Sequence, residues 1–208
     1  MGNVFRFETL DSTNTKAILL AREGVEEAVV TARRQTGGRG RLGRRFESPK
    51  GGLYLSRLTS RLRPGEQVLA VTPAAALAVR RSIQRIFGAS CQIKYPNDLI
   101  LNGRKVCGIL CESLSLPDRF CLVIGVGINV CSGVVLPEGS PDPPPDYPPG
   151  SLKEVCESAA DPRSLQELEA DLSKELDALV EDFASGRGLN EAEYRAHCIN
   201  CPETIIQF

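Results

Sequence analysis

Hydrophobic and polar positions alternate along this chain in blocks that switch between the two-residue period of a strand and the 3.6-residue period of a helix. Val4–Thr9 alternates polar and apolar side chains and predicts a strand. Asp11 or Ser12 then caps a helix whose apolar residues Ala17, Leu20 and Ala21 recur at helical spacing. Ala28–Ala32 is β-rich, Gln35–Gly51 is a long loop with five glycines and many cations, and Gly52–Leu58 returns to strand. Pro64-Gly65 marks a turn before Glu66–Phe87, an Ala- and Leu-rich helical pattern that Pro73 starts or kinks and Gly88 can terminate. Cys91–Tyr95 predicts a short strand. Asp98–Leu101 and Lys105–Leu114 flank Asn102-Gly103, the strongest local signal for a hairpin. Phe120–Val130 is nearly continuous in apolar residues and predicts a central strand. Pro137–Pro149 holds seven prolines and predicts an extended surface loop. Leu165–Phe183 is an amphipathic helix, Leu189–Cys198 predicts another, and Thr204–Phe208 predicts the start of one more strand. The fold class expected is α/β, of α+β type: a mixed, largely antiparallel sheet with helices mainly on one face.

Composition narrows the functional classes. With 208 residues, 42% hydrophobic and 25% charged, the chain is long enough for one good-sized domain and is not disordered by composition. A net charge of −1 gives the whole molecule no attraction to nucleic acid or anionic lipid, so any basic site is local. No apolar run approaches the ~18 residues of a membrane span, and residues 1–7 hold no signal-peptide stretch. Arg6 stands where a myristoylation motif needs Ser or Thr. A cytoplasmic location is expected. The eight cysteines then read as reduced thiols, with Cys107, Cys111, Cys121 and Cys131 as small hydrophobes in strands. His197, Cys198 and Cys201 lack a second ligand cluster for zinc.

Four segments carry chemistry. The loop 35–45 interleaves glycines, which allow close backbone approach, with Arg39, Arg41, Arg44 and Arg45, whose forked donors suit phosphate and carboxylate. It is neither a Walker loop nor a G-x-G-x-x-G fingerprint. An RNA-backbone role for its cations lacks accompanying aromatics. Lys94 interrupts an apolar strand and should face a cavity or solvent. Asn97 and Asp98 follow, and Asp98 could hold Mg²⁺. Lys105 opens the returning hairpin strand. By the two-residue period it shares a face with Cys107 and Ile109, while Gly108 leaves room on the other. Asp11-Ser12-Thr13-Asn14 reads from the residues as a helix cap, and Gly125–Asn129 as a glycine-rich strand end whose Asn129 could read a base or bridge loops.

Taken in order, Asp-Ser-Thr-Asn, Gln-x-x-Gly-Arg-Gly-Arg-x-Gly-Arg, Ser-Pro-x-Gly-Gly-Leu-Tyr-Leu-Ser, Lys-Tyr-Pro-Asn-Asp-Leu, Arg-Lys-Val-x-Gly-Ile-Leu-x-Glu and Gly-x-Gly-Ile-Asn-Val resemble the catalytic domain of biotin–protein ligases, over roughly residues 4–185. The resemblance implies a class II synthetase-like biotin/lipoate ligase fold. It implies a biotin site at Ser12, Thr13, Asn14, Gln35, Gly38, Arg39, Arg41, Lys105 and Gly108. It implies ATP contacts at Arg41, Arg44, Lys94, Asn97, Lys105 and Asn129, with Mg²⁺ near Asp98. Lys105, Arg41 and Arg39 would be the catalytic cations. The implied reaction activates biotin with ATP as biotinyl-5′-AMP and then transfers biotin to a lysine of a biotin carboxyl carrier domain. No nucleic acid or membrane partner is expected, and the protein would be a monomer or homodimer. Tyr95 and Phe46 stand where the family usually has Trp. Residues 1–200 are expected to form the catalytic domain. Residues 201–208 are expected to hold no more than the first strand of the SH3-like barrel that follows in the family and aids ATP and carrier binding there. No helix-turn-helix precedes the first strand, so no repressor role is expected. Two alternatives remain open. One is a lipoate or octanoate ligase or transferase, in which Cys107 beside Lys105 would matter. The other is a non-catalytic binder of biotin or nucleotide.

Overall fold

The computed structural model describes residues 3–133 and 146–205. Seven strands form one sheet: β1 (Asn3–Phe7), β2 (Ala28–Ala32), β3 (Leu53–Thr59), β4 (Gln92–Lys94), β5 (Asp98–Leu101), β6 (Arg104–Ser115) and β7 (Phe120–Ile128). Their order is β1-β2-β3-β7-β6-β5-β4, with β1 and β2 parallel and every other pair antiparallel. The apolar run that predicts a central strand is therefore β7, the middle of the seven. The mixed, largely antiparallel class is as expected from the sequence.

Four α-helices cover the sheet: α1 (Thr13–Arg22), α2 (Val71–Phe87), α3 (Pro162–Ala184) and α4 (Glu191–His197). The larger core lies on the face carrying α2, α3 and α4, where Leu168, Leu172, Leu176 and Val180 of α3 and Ala75, Val79 and Ile83 of α2 pack with Leu55, Ile109, Ile124 and Val126 of the sheet. A smaller core on the opposite face joins Ala17, Leu20 and Ala21 of α1 to Ala28, Val30, Leu58, Cys121 and Val123. Parity along each strand explains the split: Ile124 and Val126 face one layer, Cys121 and Val123 the other. The helix α1 packs over β2, β3 and β7 on its face, so the β4–β6 side is left to the loop 35–51 and the site.

Local signals explain the ends of these elements. Ser12 caps α1, and its Oγ accepts from Thr15 N–H at 3.4 Å. Pro73 lies in the first turn of α2, where its missing N–H costs nothing, and the preceding Glu66–Ala70 closes as a separate 3₁₀ turn. Gly88 ends α2 in the left-handed region with φ +68°. Asn102 (φ +49°) and Gly103 (φ +72°) make the tight β5–β6 turn that their residue types favour.

Two expectations change. Cys131 lies beyond the end of β7 and is exposed, because Gly51 and Cys131 pair outside the ladder as the chain leaves the sheet. Of the proline-rich 137–149 only 146–149 is described, and the rest lies outside the described residues. The predicted strand Thr204–Phe208 also lies largely outside them, and 204–205 is not strand. Ile205 is buried in the main core.

Candidate active site

The feature that organises the site is a β-bulge. Leu99 pairs with Cys107 but Ile100 pairs with Lys105, so Val106 is an extra residue in β6. The bulge reverses the expected parity. Val106 and Cys107 both bury in the helix-side core. Lys105 instead shares the α1 face with Gly108, whose Cβ position would lie 3.4 Å from Lys105 Cε. This corrects the period-two reading that put Lys105 beside Cys107. The buried Cys107 thiol, pushed well above the ordinary thiol range chiefly by burial, does not enter the site.

On this face Lys94, Asp98, Gly108 and Gly127 form a transverse row, each opposite the next across adjacent strands. Lys105 Nζ lies 2.7 Å from Asp98 Oδ1. The two glycines form a floor. A Cβ on Gly127 would fall 2.6 Å from the Phe46 ring, and one on Gly108 3.0 Å from it. The aromatic ring of the arginine loop thus lies flat against glycine backbone beside the Lys105 chain.

A second cluster sits at the start of α1. Gln35 Oε1 accepts from Thr13 N–H at 2.8 Å and lies 3.1 Å from Thr13 Oγ1, while Gln35 Nε2 donates to Ser48 Oγ at 2.9 Å. Ser48 in turn donates to the Phe46 carbonyl at 2.9 Å, and Phe46 N–H donates to the carbonyl of buried Gly38 at 2.9 Å. Ser56 Oγ lies 2.8 Å from Thr13 Oγ1 and 2.6 Å from Asn14 Oδ1, and its one proton serves one of the two. Asn14 Nδ2 donates to Leu110 O at 3.1 Å and Glu112 Oε2 at 2.8 Å, and Glu112 also accepts from Arg39 at 3.0 Å. Thr13, Asn14, Gln35, Gly38 and Arg39 are thereby one connected polar network on the same face as Lys105, buried at Thr13, Asn14 and Gly38 and open to water at Arg39, while Ser12, buried beside it, caps α1 and hydrogen-bonds to none of its members.

Arg41 does not join the two clusters: its Nη1 donates to Asn97 Oδ1 at 3.2 Å, Asn97 Nδ2 donates to Ile109 O at 3.0 Å, and Arg41 lines a cavity with Val68, Thr72, Pro96 and Cys111 on the α2 side of the sheet, away from the face of Lys105 where the sequence reading put it. Arg44 is exposed on the loop. Asn129, buried just past β7, takes Val106 O with its N–H at 2.8 Å and Gly150 O with its amide at 3.0 Å. It bridges the bulge to the segment that follows the prolines. Lys94 is hydrogen-bonded to Asp146, with the Tyr147 ring 5.5 Å away. Sequence reasoning assigned no role to Ser48, Ser56, Glu112, Asp146, Tyr147 or Phe46's glycine floor. Polar Ser56 inside apolar β3 was the available signal for one of them. Among the described residues no group of three or more His, Cys, Asp and Glu side chains is placed to hold a metal ion, and no helix is long and apolar enough to cross a membrane.

Comparison with known proteins defines the class. Residues 6–129 match the Biotin/lipoate A/B protein ligase family, and every segment of the site up to Asn129 lies inside that span. The chain belongs to this family. It is 38% identical over 126 residues to the bifunctional ligase/repressor BirA of Bacillus subtilis (strain 168), covering 59% of this chain and 39% of that one. It is 37% identical over 164 residues to the biotin--[acetyl-CoA-carboxylase] ligase of Paracoccus denitrificans, covering 76% of this chain and 66% of that one. The chain thus spans from 39% to 66% of the length of these relatives. The structure superposes on the biotin protein ligase of Aquifex aeolicus solved in complex with biotin and ATP, with a TM-score of 0.71, 27% identity, and coverage of 96% of this chain and 79% of that one.

Proposed function

We propose that this protein is an ATP-dependent biotin–protein ligase that forms biotinyl-5′-AMP and transfers the biotinyl group to a lysine of a biotin carboxyl carrier domain of a carboxylase. The observation that carries the reading is the placement of Lys105 by the bulge, on the glycine floor and between the arginine loop and Asp98. The names of the relatives support the choice of biotin, ATP and carrier.

A carboxylate is a poor acyl donor. In the first step a carboxylate oxygen of biotin attacks the α-phosphorus of ATP, forming a mixed anhydride as pyrophosphate leaves. Two anionic reactants must meet, so fixed positive charge is the main requirement. Lys105 is the cation at the meeting point of carboxylate and α-phosphate. Arg39, held by Glu112, brings the loop's charge to the same face, while Arg41, bound to Asn97 on the α2 side, would join it as the loop closes over the substrates. The buried polar side chains Ser12, Thr13, Asn14 and Gln35 supply the donors and acceptors that a ureido ring needs, which an octanoyl chain does not. Lys94, Arg44, Asn97 and Asn129 serve the nucleotide. Mg²⁺ binds through one or two carboxylates plus substrate phosphates, and Asp98, a single carboxylate beside the phosphate-side cations, fits that demand. When bound, the ion would neutralise phosphate charge. In the second step the carrier's lysine amine attacks the anhydride carbonyl, AMP leaves and the amine loses a proton. No enzyme nucleophile is required. The eight free cysteines and the need for ATP suit a reducing compartment such as the cytoplasm.

The full reaction is tested by incubating the protein with biotin, ATP, Mg²⁺ and a recombinant carrier domain and reading the carrier's mass. A biotinyl adduct on one lysine is expected. An unmodified carrier with every biotin-dependent carrier domain tried would overturn the transfer step.

A further inference from the structure

Each of three site cations rests on a carboxylate of the protein itself: Lys105 on Asp98, Arg39 on Glu112 and Lys94 on Asp146. The three carboxylates differ in how they are held. Asp98 and Glu112 stand on strands β5 and β6, and Glu112 is further tied by Asn14. Asp146 alone lies on a connecting segment, with 73% of its side chain exposed, while Lys94 beneath it is only 25% exposed.

That segment is nevertheless fixed in place. Lys105 N–H donates to Pro148 O at 2.8 Å, Gly150 N–H returns to Lys105 O at 2.9 Å, and Arg104 Nη2 donates to Pro149 O at 2.8 Å. Pro148 and Pro149 stiffen the anchored segment, and only Tyr147 separates it from Asp146. The Tyr147 ring, 5.5 Å from Lys94 Nζ, completes the enclosure of the ammonium group. The Asp146 carboxyl is held below the usual carboxylate range, first by its hydrogen bond to Lys94, then by that lysine's charge and, more weakly, by Arg44. One carboxylate therefore lies within the influence of two cations, Lys94 at the end of β4 and Arg44 on the arginine loop.

We propose that Asp146 competes with the phosphates of the nucleotide for Lys94, and so sets affinity on the ATP side of the site. The inference rests on the ligase reading for the identity of the nucleotide. The chemistry is an exchange of one oxyanion for another: no bond is made or broken. An exposed pair is worth little and yields to a multiply charged anion. A competing internal contact lowers apparent affinity by the fraction of protein in which it is closed. The strap is anchored through the backbone of Lys105, so Asp146 stays close to Lys94 and closes again when the anion leaves.

The test is calorimetric titration of the intact protein with inorganic tripolyphosphate and, separately, with ATP. Asp146→Asn is expected to tighten tripolyphosphate and ATP by about threefold to fivefold, the range of an exposed ion pair, and to leave biotin affinity unchanged. Asp146→Glu, which keeps the carboxylate, is expected to behave like the wild type. Lys94→Gln is expected to weaken both anions, and in that background Asp146→Asn should have no effect, since the coupling is pairwise. Equal or weaker tripolyphosphate binding by Asp146→Asn, at an unchanged melting temperature, would overturn the proposal. So would a gain that persists without Lys94. If wild type and Asp146→Asn both fail to release pyrophosphate from ATP with biotin, the ligase reading falls. The tripolyphosphate titration still decides the role of Asp146.

Discussion

Asp98 and Lys105 form an ion pair, Oδ1 to Nζ 2.7 Å, across a ladder in which an extra Val106 has turned Lys105 toward the glycine floor. A regular strand would have pointed the same lysine into the helix-side core beside Cys107. The bulge therefore decides which face of β6 presents Lys105.

Lys105→Ala should abolish measurable adenylate formation. Loss of one preorganised charge at the reacting oxygens costs roughly 10²–10³-fold in rate, and no other described cation reaches Asp98 within ion-pair distance. Pyrophosphate release measured with biotin and ATP checks this. Release at the wild-type rate would remove Lys105 from the reaction.

Arg41→Gly should leak free adenylate. Arg41 ties the loop to Asn97 at 3.2 Å, and a hydrogen bond from a charged group contributes ~1.5–3 kcal/mol. The dissociation rate of preformed biotinyl-5′-AMP should rise by about tenfold or more, read by rapid filtration. An unchanged rate would mean that the loop is held elsewhere.

Much of the fold was legible because its signals are local. The Asn-Gly hairpin, the Ser12 cap, the Gly88 stop and the apolar run of β7 each depend on a few neighbouring residues, and each stands where its residues put it. The bulge was not legible. It arises from pairing with β5, and the sequence of β6 alone continues the two-residue period through Val106. Cys131 misled for a similar reason, since the apolar run outlasts the ladder by which β7 is held. Within the site, the arginine loop and Lys105 announce themselves by residue type. The carboxylates Glu112 and Asp146 do not, because a carboxylate acquires its role only from what the fold brings to it, whereas Ser56 stands out as a polar residue in an apolar strand.

Gly125→Ala should destabilise the protein. A Cβ there would fall 2.1 Å from Asn14 Oδ1, and Asn14 is tied to Ser56 and Glu112, so it cannot yield without breaking that network. Overpacking of this kind costs ~1–3 kcal/mol. Urea unfolding with an unchanged midpoint would show that Asn14 repacks freely.

The cysteines should separate sharply in reactivity. Burial pushes the Cys111 thiol up to about 11 and the Cys91 thiol up to about 12, from the ordinary value of 9.0, so both stay protonated in the folded protein at pH 8. Cys131 is exposed. A thiol reagent at pH 8 should modify Cys131 and spare Cys91, Cys107 and Cys111 until the protein unfolds. The same shifts fix the sign of the alkaline stability change. The folded state holds protons that the unfolded chain gives up near pH 9, so the contribution is complete below about pH 9 and is lost as pH rises toward 11–12. Unfolding midpoints that rise between pH 9 and 11 would contradict this.

Biotin activation is read by pyrophosphate release from ATP in the presence of Mg²⁺, with biotin, lipoate and octanoate supplied in separate reactions. Release is expected with biotin and none above background with the other two acids. Release with lipoate or octanoate instead of biotin, or with no acid at all, would contradict it.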